Sequence, residues 1–229
     1  MKNDIINIGL PSKGRLKENT LKIFKSKKLN ITSERGERDL FGYIKKLPNT
    51  KIIYLHAREC IEQLSLGNID IGFSGYDLLR ESEFNIQKNI LIKKRLNFGH
   101  ATVVLAIADL WLDVQTLLDL DEVAEDFKKK KKRLLRVATK YPNLTRKFLY
   151  SKGVTHFQLV QSLGSTEVAP FTGTAEVISD ITSTGATLKA NNLRILKDGE
   201  ILKSQACIMQ SKLSTKKVGI KKIINLLSK

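Results

Sequence analysis

The densest concentration of groups able to do chemistry lies between Thr174 and Leu188, where the sequence reads TAEVISDITSTGATL. A β-prone run carrying two carboxylates, Glu176 and Asp180, empties into a loop of hydroxyls around one glycine, and a helix begins next. Gly185 lets backbone N–H groups converge on an anion. Thr182, Ser183, Thr184 and Thr187 add hydroxyl donors, and the new helix, entered at Ala186, points its positive end at the same place. Glu176 and Asp180, read as bracketing the strand end, can accept hydrogen bonds from ribose hydroxyls, as acidic side chains do beside nucleotide phosphates. Carboxylates next to a phosphate cradle suit a phosphoribosyl group. The competing reading is an ordinary Ser/Thr-rich turn with a helix cap.

Other segments have the residue types of familiar sites without their spacing. Gly9–Leu16, GLPSKGRL, nearly matches the phosphate loop G-x-x-x-x-G-K-[ST], but Arg15 stands where the lysine belongs and Leu16 where the magnesium-binding hydroxyl belongs. What remains is a strand, a tight turn at Gly14 and a helix start flanked by Lys13 and Arg15. That is either an anion site or an ordinary βα turn with solvated cations. Gly72-Phe73-Ser74-Gly75 lacks the second glycine of a hydrolase elbow, because Tyr76 stands there. His56, His100 and His156 have no metal-ligand spacing, so no protein-held metal is expected. Cys60 and Cys207 lie far apart beside apolar residues and are expected to be packing residues.

The elements that must carry these groups alternate between strand-length apolar runs and segments of helical period, the pattern of α/β architecture with a largely parallel sheet. Strands are expected at 5–10, 51–55 and 69–73. A helix follows Gly14 with Leu16, Thr20, Ile23 and Phe24 on one face, and another covers 57–66. A second set starts with a strand at 101–108 and continues with a helix over 114–130, a strand at 134–139, a helix over 143–151 and a strand at 157–161. Runs at 175–181, 193–196 and 206–209 are strand-like. The chain ends in an amphipathic helix with Ile220, Ile223, Ile224 and Leu227 on one stripe. Two α/β lobes with a central cleft are the economical arrangement, with sites at strand C-termini.

The 229 residues carry 40 Lys and Arg against 23 Asp and Glu, a net charge of +17, with 41% hydrophobic residues. That composition excludes a disordered basic tail. No apolar run approaches the roughly 18–20 residues that span a bilayer, and the N-terminus has no signal-peptide pattern, so a cytoplasmic location and no membrane contact are expected. The densest basic run, Lys128–Arg133, follows an acidic segment and has no interleaved aromatics. It reads as the solvated end of a helix, so nucleic acid is not expected as a partner, with a polyanion contact as the alternative.

Together these residues resemble the ATP phosphoribosyltransferase family, which catalyses the first step of histidine biosynthesis and whose phosphate motif is an acidic strand end followed by S-T-G-x-T-L. Four further segments agree in the family's order: Leu10–Leu16, Ile69–Leu78, Val137–Arg146 and Gly164–Pro170. One departure stands out. Many members carry R-x-x-[DE]-[IV]-P before the Asp-x-Gly strand, whereas this sequence has His56 at the arginine and Ile61 at the proline, with Arg58 two residues on as the candidate substitute.

The resemblance implies transfer of the phosphoribosyl group of phosphoribosyl pyrophosphate to N1 of ATP, with Mg2+ bound through the substrate pyrophosphate. It implies Lys13, Arg38 and Arg58 as catalytic cations. Nucleotide contacts are implied for Lys13, Gly14, Arg15, Asp70, Gly75, Asp77 and Glu167. Contacts to the phosphoribosyl donor are implied for Glu176, Asp180, Thr182, Ser183, Thr184, Gly185, Ala186 and Thr187. The implied fold is like a type II periplasmic binding protein, with 1–98 plus 209–229 as the nucleotide lobe and 99–208 as the lobe for phosphoribosyl pyrophosphate. The end of the chain one helix after the catalytic core implies the short form, without a C-terminal regulatory domain. A homodimer core working with a histidyl-tRNA-synthetase-like regulatory subunit is implied with it. The alternative is a two-lobed solute-binding or polyanion-binding protein without catalysis.

Overall fold

The computed structural model describes residues 5–33 and 40–228, so Arg38 lies outside the described residues. The chain forms two compact units, Met1–Gly99 with Gln205–Lys229, and His100–Ser204. The sequence placed the two crossings near 98 and 208.

Unit 1 contains β1 (Ile6–Pro11), α1 (Gly14–Ser26), β2 (Ile31–Thr32), β3 (Phe41–Ile44), β4 (Leu47–Leu55), α2 (Ala57–Leu66), β5 (Ile71–Gly75), α3 (Tyr76–Glu81), α4 (Phe84–Gln87) and β6 (Ile90–Arg95). In unit 2 follow β7 (Ala101–Ala108), α5 (Leu117–Lys131), β8 (Leu135–Thr139), α6 (Pro142–Ser151), β9 (Phe157–Gln161), β10 (Val177–Thr182), α7 (Ala186–Ala190) and β11 (Leu193–Ser204). The chain then returns to unit 1 with β12 (Ala206–Ser211) and α8 (Ile220–Ser228).

The unit 1 sheet runs β2-β3-β4-β1-β5-β12-β6. β1 is parallel to both β4 and β5, and β12 is antiparallel to both β5 and β6. One face buries Ile6, Ile8 and Leu10 against Phe24 of α1 and the Ile220, Ile223, Ile224 and Leu227 stripe of α8. The other buries Cys60, Ile61 and Leu64 of α2 against Ile69, Cys207 and Met209. That second face needs glycine at two paired positions. A Cβ on Gly9 would stand 2.5 Å from Ile69, and one on Gly72 would stand 2.6 Å from the Cys60 sulfur. Cys60 fills the space the glycines leave, and burial pushes its thiol up to about 12, which suits a packing residue.

The unit 2 sheet runs β11-β7-β10-β8-β9, with β8 parallel to β10 and β9, and β7 antiparallel to β10 and β11. Leu117, Leu120 and Phe127 of α5 and Leu149 of α6 cover one face with Leu105, Val137 and Val177. Ala106, Ala138, Ala169 and Ala175 keep the other face thin enough for Leu188 of α7 to pack closely. α5 starts with a reciprocal cap, Thr116 accepting from the Asp119 N–H and Asp119 accepting from the Thr116 N–H at 2.8 Å. Its last turn is solvated: Lys129 and Lys130 pair one turn back with Glu125 and Asp126.

Both sheets are mixed, where the sequence predicted a largely parallel one. The antiparallel strands are those next to the crossings, β7, β11 and β12, and the β2–β3–β4 ribbon at one sheet edge. The strand expected at 69–73 is observed at Ile71–Gly75; Asp70 lies just before it, its N–H donating to Asn7 O at 2.8 Å and its carbonyl accepting from the Ser211 N–H at 3.0 Å. Asp70 is fully buried, and its Oδ2 accepts from the Asn7 N–H at 2.8 Å and from Lys217 Nζ at 2.9 Å. This corrects its assignment as a nucleotide contact. Asp70 stands at the N-terminal end of β5, away from the strand C-termini, and ties down the segment that leads into α8.

Lys217→Met removes the cation from a buried carboxylate and is expected to lower the unfolding free energy by about 2–3 kcal/mol. That is below the ~3–5 kcal/mol for breaking a fully buried pair, because the Lys217 side chain keeps 28% of its exposure. Urea unfolding followed by circular dichroism measures it.

Candidate functional site

In unit 1 the parallel register brings three strand ends to one edge. Pro11 of β1 pairs with Leu55 of β4, and the β1–β5 ladder, Gly9 opposite Gly72, carries on to put Ser74 and Gly75 at the same level. The Ser12 N–H donates to Leu55 O at 2.8 Å and closes the first turn. Lys13 then caps α1 and is exposed, as are Gly14 and Arg15. Gly14 has φ +73, with free space where a Cβ would project, so the turn exposes backbone to a ligand. After β4, His56 caps α2 by accepting from the Arg58 N–H at 3.4 Å, and exposed Arg58 lies in the first turn of α2. After β5, Gly75 caps α3 and Asp77 is buried in its first turn. Five of the unit 1 residues picked from the sequence, Lys13, Arg15, Arg58, Gly75 and Asp77, thus share one edge with Gly14, whereas Asp70 does not.

In unit 2 the C-terminal ends of β8, β9 and β10 share an edge, because β8 is parallel to both neighbours. The loop after β10 is already shaped by its own side chains. Thr182 Oγ1 accepts from the Gly185 N–H at 2.9 Å, and Thr184 Oγ1 accepts from the Ala186 N–H at 3.4 Å. Gly185 sits at φ +74 as the cap of α7, and a Cβ there would meet nothing within 4 Å. Ser183, Thr184 and Thr187 are exposed. Asp180, near the strand end, accepts from the Ile181 N–H at 2.8 Å. Glu167 lies on the same edge in the short turn Thr166–Val168 after β9, so it belongs to unit 2 rather than to the lobe assigned to the nucleotide.

Beneath the loop runs a chain of buried hydroxyls that the sequence reading did not single out. Thr145 of α6 donates to Ser179 Oγ of β10 at 2.7 Å and lies 3.2 Å from Thr139 Oγ1 of β8. Thr139 also accepts from the Tyr141 N–H at 2.8 Å. This network locks the ends of β8 and β10 together. Its signal was present in the sequence: Thr139 and Thr145 both fall in Val137–Arg146, one of the segments that carry the family resemblance.

Glu176 requires a correction. It shares a face with Asp180, but four residues of strand separate them by roughly 13 Å, and Glu176 precedes β10 at the end opposite the loop. Its carboxylate accepts from Arg136 Nη2, from the Arg136 N–H at 2.9 Å and from Arg133 Nη2 at 3.0 Å. Burial works to raise its pKa, and the hydrogen bonds from the Arg136 and Arg133 side chains and the Arg136 N–H outweigh that, bringing it from an ordinary 4.5 down to about 2. Glu176 is therefore a clamp between β8 and β10. Arg133, the last cation of the basic run, leaves that run to make it.

Among the described residues, no group of three or more His, Cys, Asp or Glu could hold a metal ion, and no helix is long and apolar enough to cross a membrane.

This architecture defines an α/β protein of the type II periplasmic-binding-protein-like class. The arginine-, lysine-, histidine-binding protein ArtJ from Geobacillus stearothermophilus shares its fold at a TM-score of 0.55 and 9% identity, covering 98% of this chain and 88% of that one. The chain belongs to the ATP phosphoribosyltransferase (HisG) family, whose model matches residues 56–229. ATP phosphoribosyltransferase of Nitrobacter winogradskyi is 48% identical over 90% of this chain, which spans 63% of that relative's length. ATP phosphoribosyltransferase of Mesorhizobium japonicum is 46% identical over 91% of this chain and 90% of its own length. The ATP phosphoribosyl transferase (HisG:HisZ) complex from Thermotoga maritima matches at a TM-score of 0.73 and 27% identity, covering 97% of this chain and 96% of that one.

The clamp gives a pH signature. The depressed pKa of Glu176 means its contribution is complete above about 4.5 and is lost as pH falls toward about 2. Glu176→Gln should cost on the order of 1–3 kcal/mol near neutral pH. The gap between wild type and variant should narrow in thermal melts as pH falls through that window.

Proposed function

We propose that this chain transfers the phosphoribosyl group of phosphoribosyl pyrophosphate to N1 of ATP, releasing pyrophosphate. The loop Thr182–Thr187 carries this reading: left-handed Gly185 opens onto free space beside exposed hydroxyls, in a chain whose relatives are named for that activity. The N1 lone pair forms the bond to C1 of the ribose as the C1–O bond to pyrophosphate breaks. Charge therefore grows on the leaving oxygen while the sugar becomes cationic. Placement of the two reactants and cations around the leaving group lower this barrier more than a strong base would.

The roles divide between the units. In unit 2 the loop takes the 5′-phosphate through N–H and O–H donors, and Asp180 takes a ribose hydroxyl. In unit 1 Lys13, Arg15 and Arg58 take polyphosphate oxygens, and Gly75 and Asp77 shape the nucleotide side. These edges offer N–H groups, hydroxyls and cations with individual carboxylates such as Asp77 and Asp180, and among the described residues no cluster of three or more metal-ligating side chains, which suits a magnesium ion carried in on phosphate oxygens. Bound that way, magnesium neutralises part of the pyrophosphate charge. The HisG:HisZ complex from Thermotoga maritima supports a regulatory subunit as partner for this chain as well.

The test is to mix the protein with ATP, phosphoribosyl pyrophosphate and magnesium, with and without a candidate regulatory subunit, and follow N1-phosphoribosyl-ATP. Absence of product under both conditions would refute the reading. Gly185→Val should cut turnover to background at a stability cost of about 1–2 kcal/mol, because a side chain at positive φ is strained and fills the phosphate space. Near-normal affinity for phosphoribosyl pyrophosphate in that variant would remove the loop from the site.

A further inference from the structure

Arg95 ends β6, and nothing in the sequence motifs singles it out. Its guanidinium lies over the Tyr76 ring, 4.3 Å from the ring centroid. Register fixes its place. Cys207 pairs with Ser74 of β5 on one side and with Arg95 on the other, so Arg95 stands at the level of the β5 C-terminus, on the edge that carries Lys13 and Arg58. Residues opposite one another in a sheet share a face. The Ser74 hydroxyl donates to Ala57 O at the start of α2 at 2.7 Å, so Arg95 rises on the α2 face, the face of Arg58.

Its environment leaves it available to a ligand. Arg95 is exposed and makes no ion pair with a carboxylate among the described residues. By contrast, Arg133 and Arg136 are committed to Glu176. The ring contact restrains the swing of the guanidinium while leaving its N–H fork to hydrogen-bond, and such a fork grips phosphate oxygens in pairs. A lysine in that place would offer the charge without the fork.

We propose that Arg95, oriented by Tyr76, is a further polyphosphate-binding residue of the unit 1 edge. The inference rests on the phosphoribosyl-transfer reading for its substrates. The linked phosphates it grips belong either to the nucleotide or to the pyrophosphate end of the phosphoribosyl donor.

Arg95→Ala, Arg95→Lys, Tyr76→Leu and Tyr76→Phe decide this, made in the full chain. Each is measured for KM of ATP, KM of phosphoribosyl pyrophosphate, Kd of inorganic pyrophosphate by calorimetry, and Tm. Arg95→Ala should raise the KM of one substrate about tenfold or more and leave Tm nearly unchanged, as befits an exposed side chain. The substrate affected names the source of the phosphates. Arg95→Lys should recover only part of the loss. Tyr76→Leu should move KM the same way by less, and Tyr76→Phe, which keeps the ring, should restore it. Unchanged KM for both substrates together with unchanged pyrophosphate affinity overturns the proposal. If wild type shows no turnover with or without a regulatory subunit, the reaction is refuted, and pyrophosphate affinity decides Arg95 alone: binding weakened in Arg95→Ala supports it, and binding equal or absent in both overturns it.

Discussion

The constraint on which unit 1 depends is the contact of two glycines. Gly9 and Gly72 are paired across β1 and β5, and side chains crowd both: Cys60 and Leu64 of α2 stand where a Cβ on Gly72 would go, and Ile69 with Cys60 where one on Gly9 would go. That contact fixes β1 and β5 in one register, and β4 joins on the other side of β1. Once the strands are parallel and in step, their C-terminal ends must fall along one line. The cations after β1, the first turn of α2 and the turn into α3 then gather without any further interaction between them. Substrate chemistry sits where the backbone runs out of ladder partners, and the glycines decide where that is.

Both units also place a carboxylate at the opposite, N-terminal end of a central strand and bind it to cations from distant sequence. Asp70 holds Lys217 from the approach to α8, and Glu176 holds Arg133 and Arg136. The family resemblance implies a nucleotide contact for Asp70, and the residue pattern before the Gly185 loop suggests a ribose contact for Glu176. The error has a physical source. Spacing along a strand says which face a side chain takes but not which end of the sheet is the working one, and the competing cations lie 147 and roughly 40 residues away. Nothing local to either carboxylate reveals its partner.

What could be read locally was read well. The helix over 57–66, the strand at 101–108 and the amphipathic stripe of α8 are written in periods of 3.6 and 2. The Thr182–Thr187 loop was legible because glycine and hydroxyls must be contiguous to do its work. The β2–β3 ribbon and β6 were missed for the reverse reason. They lie toward sheet edges and bury only part of their surface: β2 and β3 are two and four residues long, too short for a clear period, and the Lys-Lys-Arg end of β6 erases the apolar signal. The charge of +17 dissolves into separate uses: lysines paired within α5, two arginines committed to Glu176, and a smaller group on the unit 1 edge.

The hydroxyls that shape the Gly185 loop have a consequence for how tightly it can hold a ligand. Thr182 and Thr184 already occupy N–H groups that an arriving phosphate would otherwise find open. The cradle is thus set during folding, and association need not freeze a floppy segment at the moment of encounter. In exchange, an incoming anion must either use the remaining N–H and O–H groups or displace an internal hydroxyl. Recognition here is a contest between substrate and the loop's own side chains. It favours a group with three oxygens able to replace several weak bonds at once, and it penalises smaller anions that could replace only one.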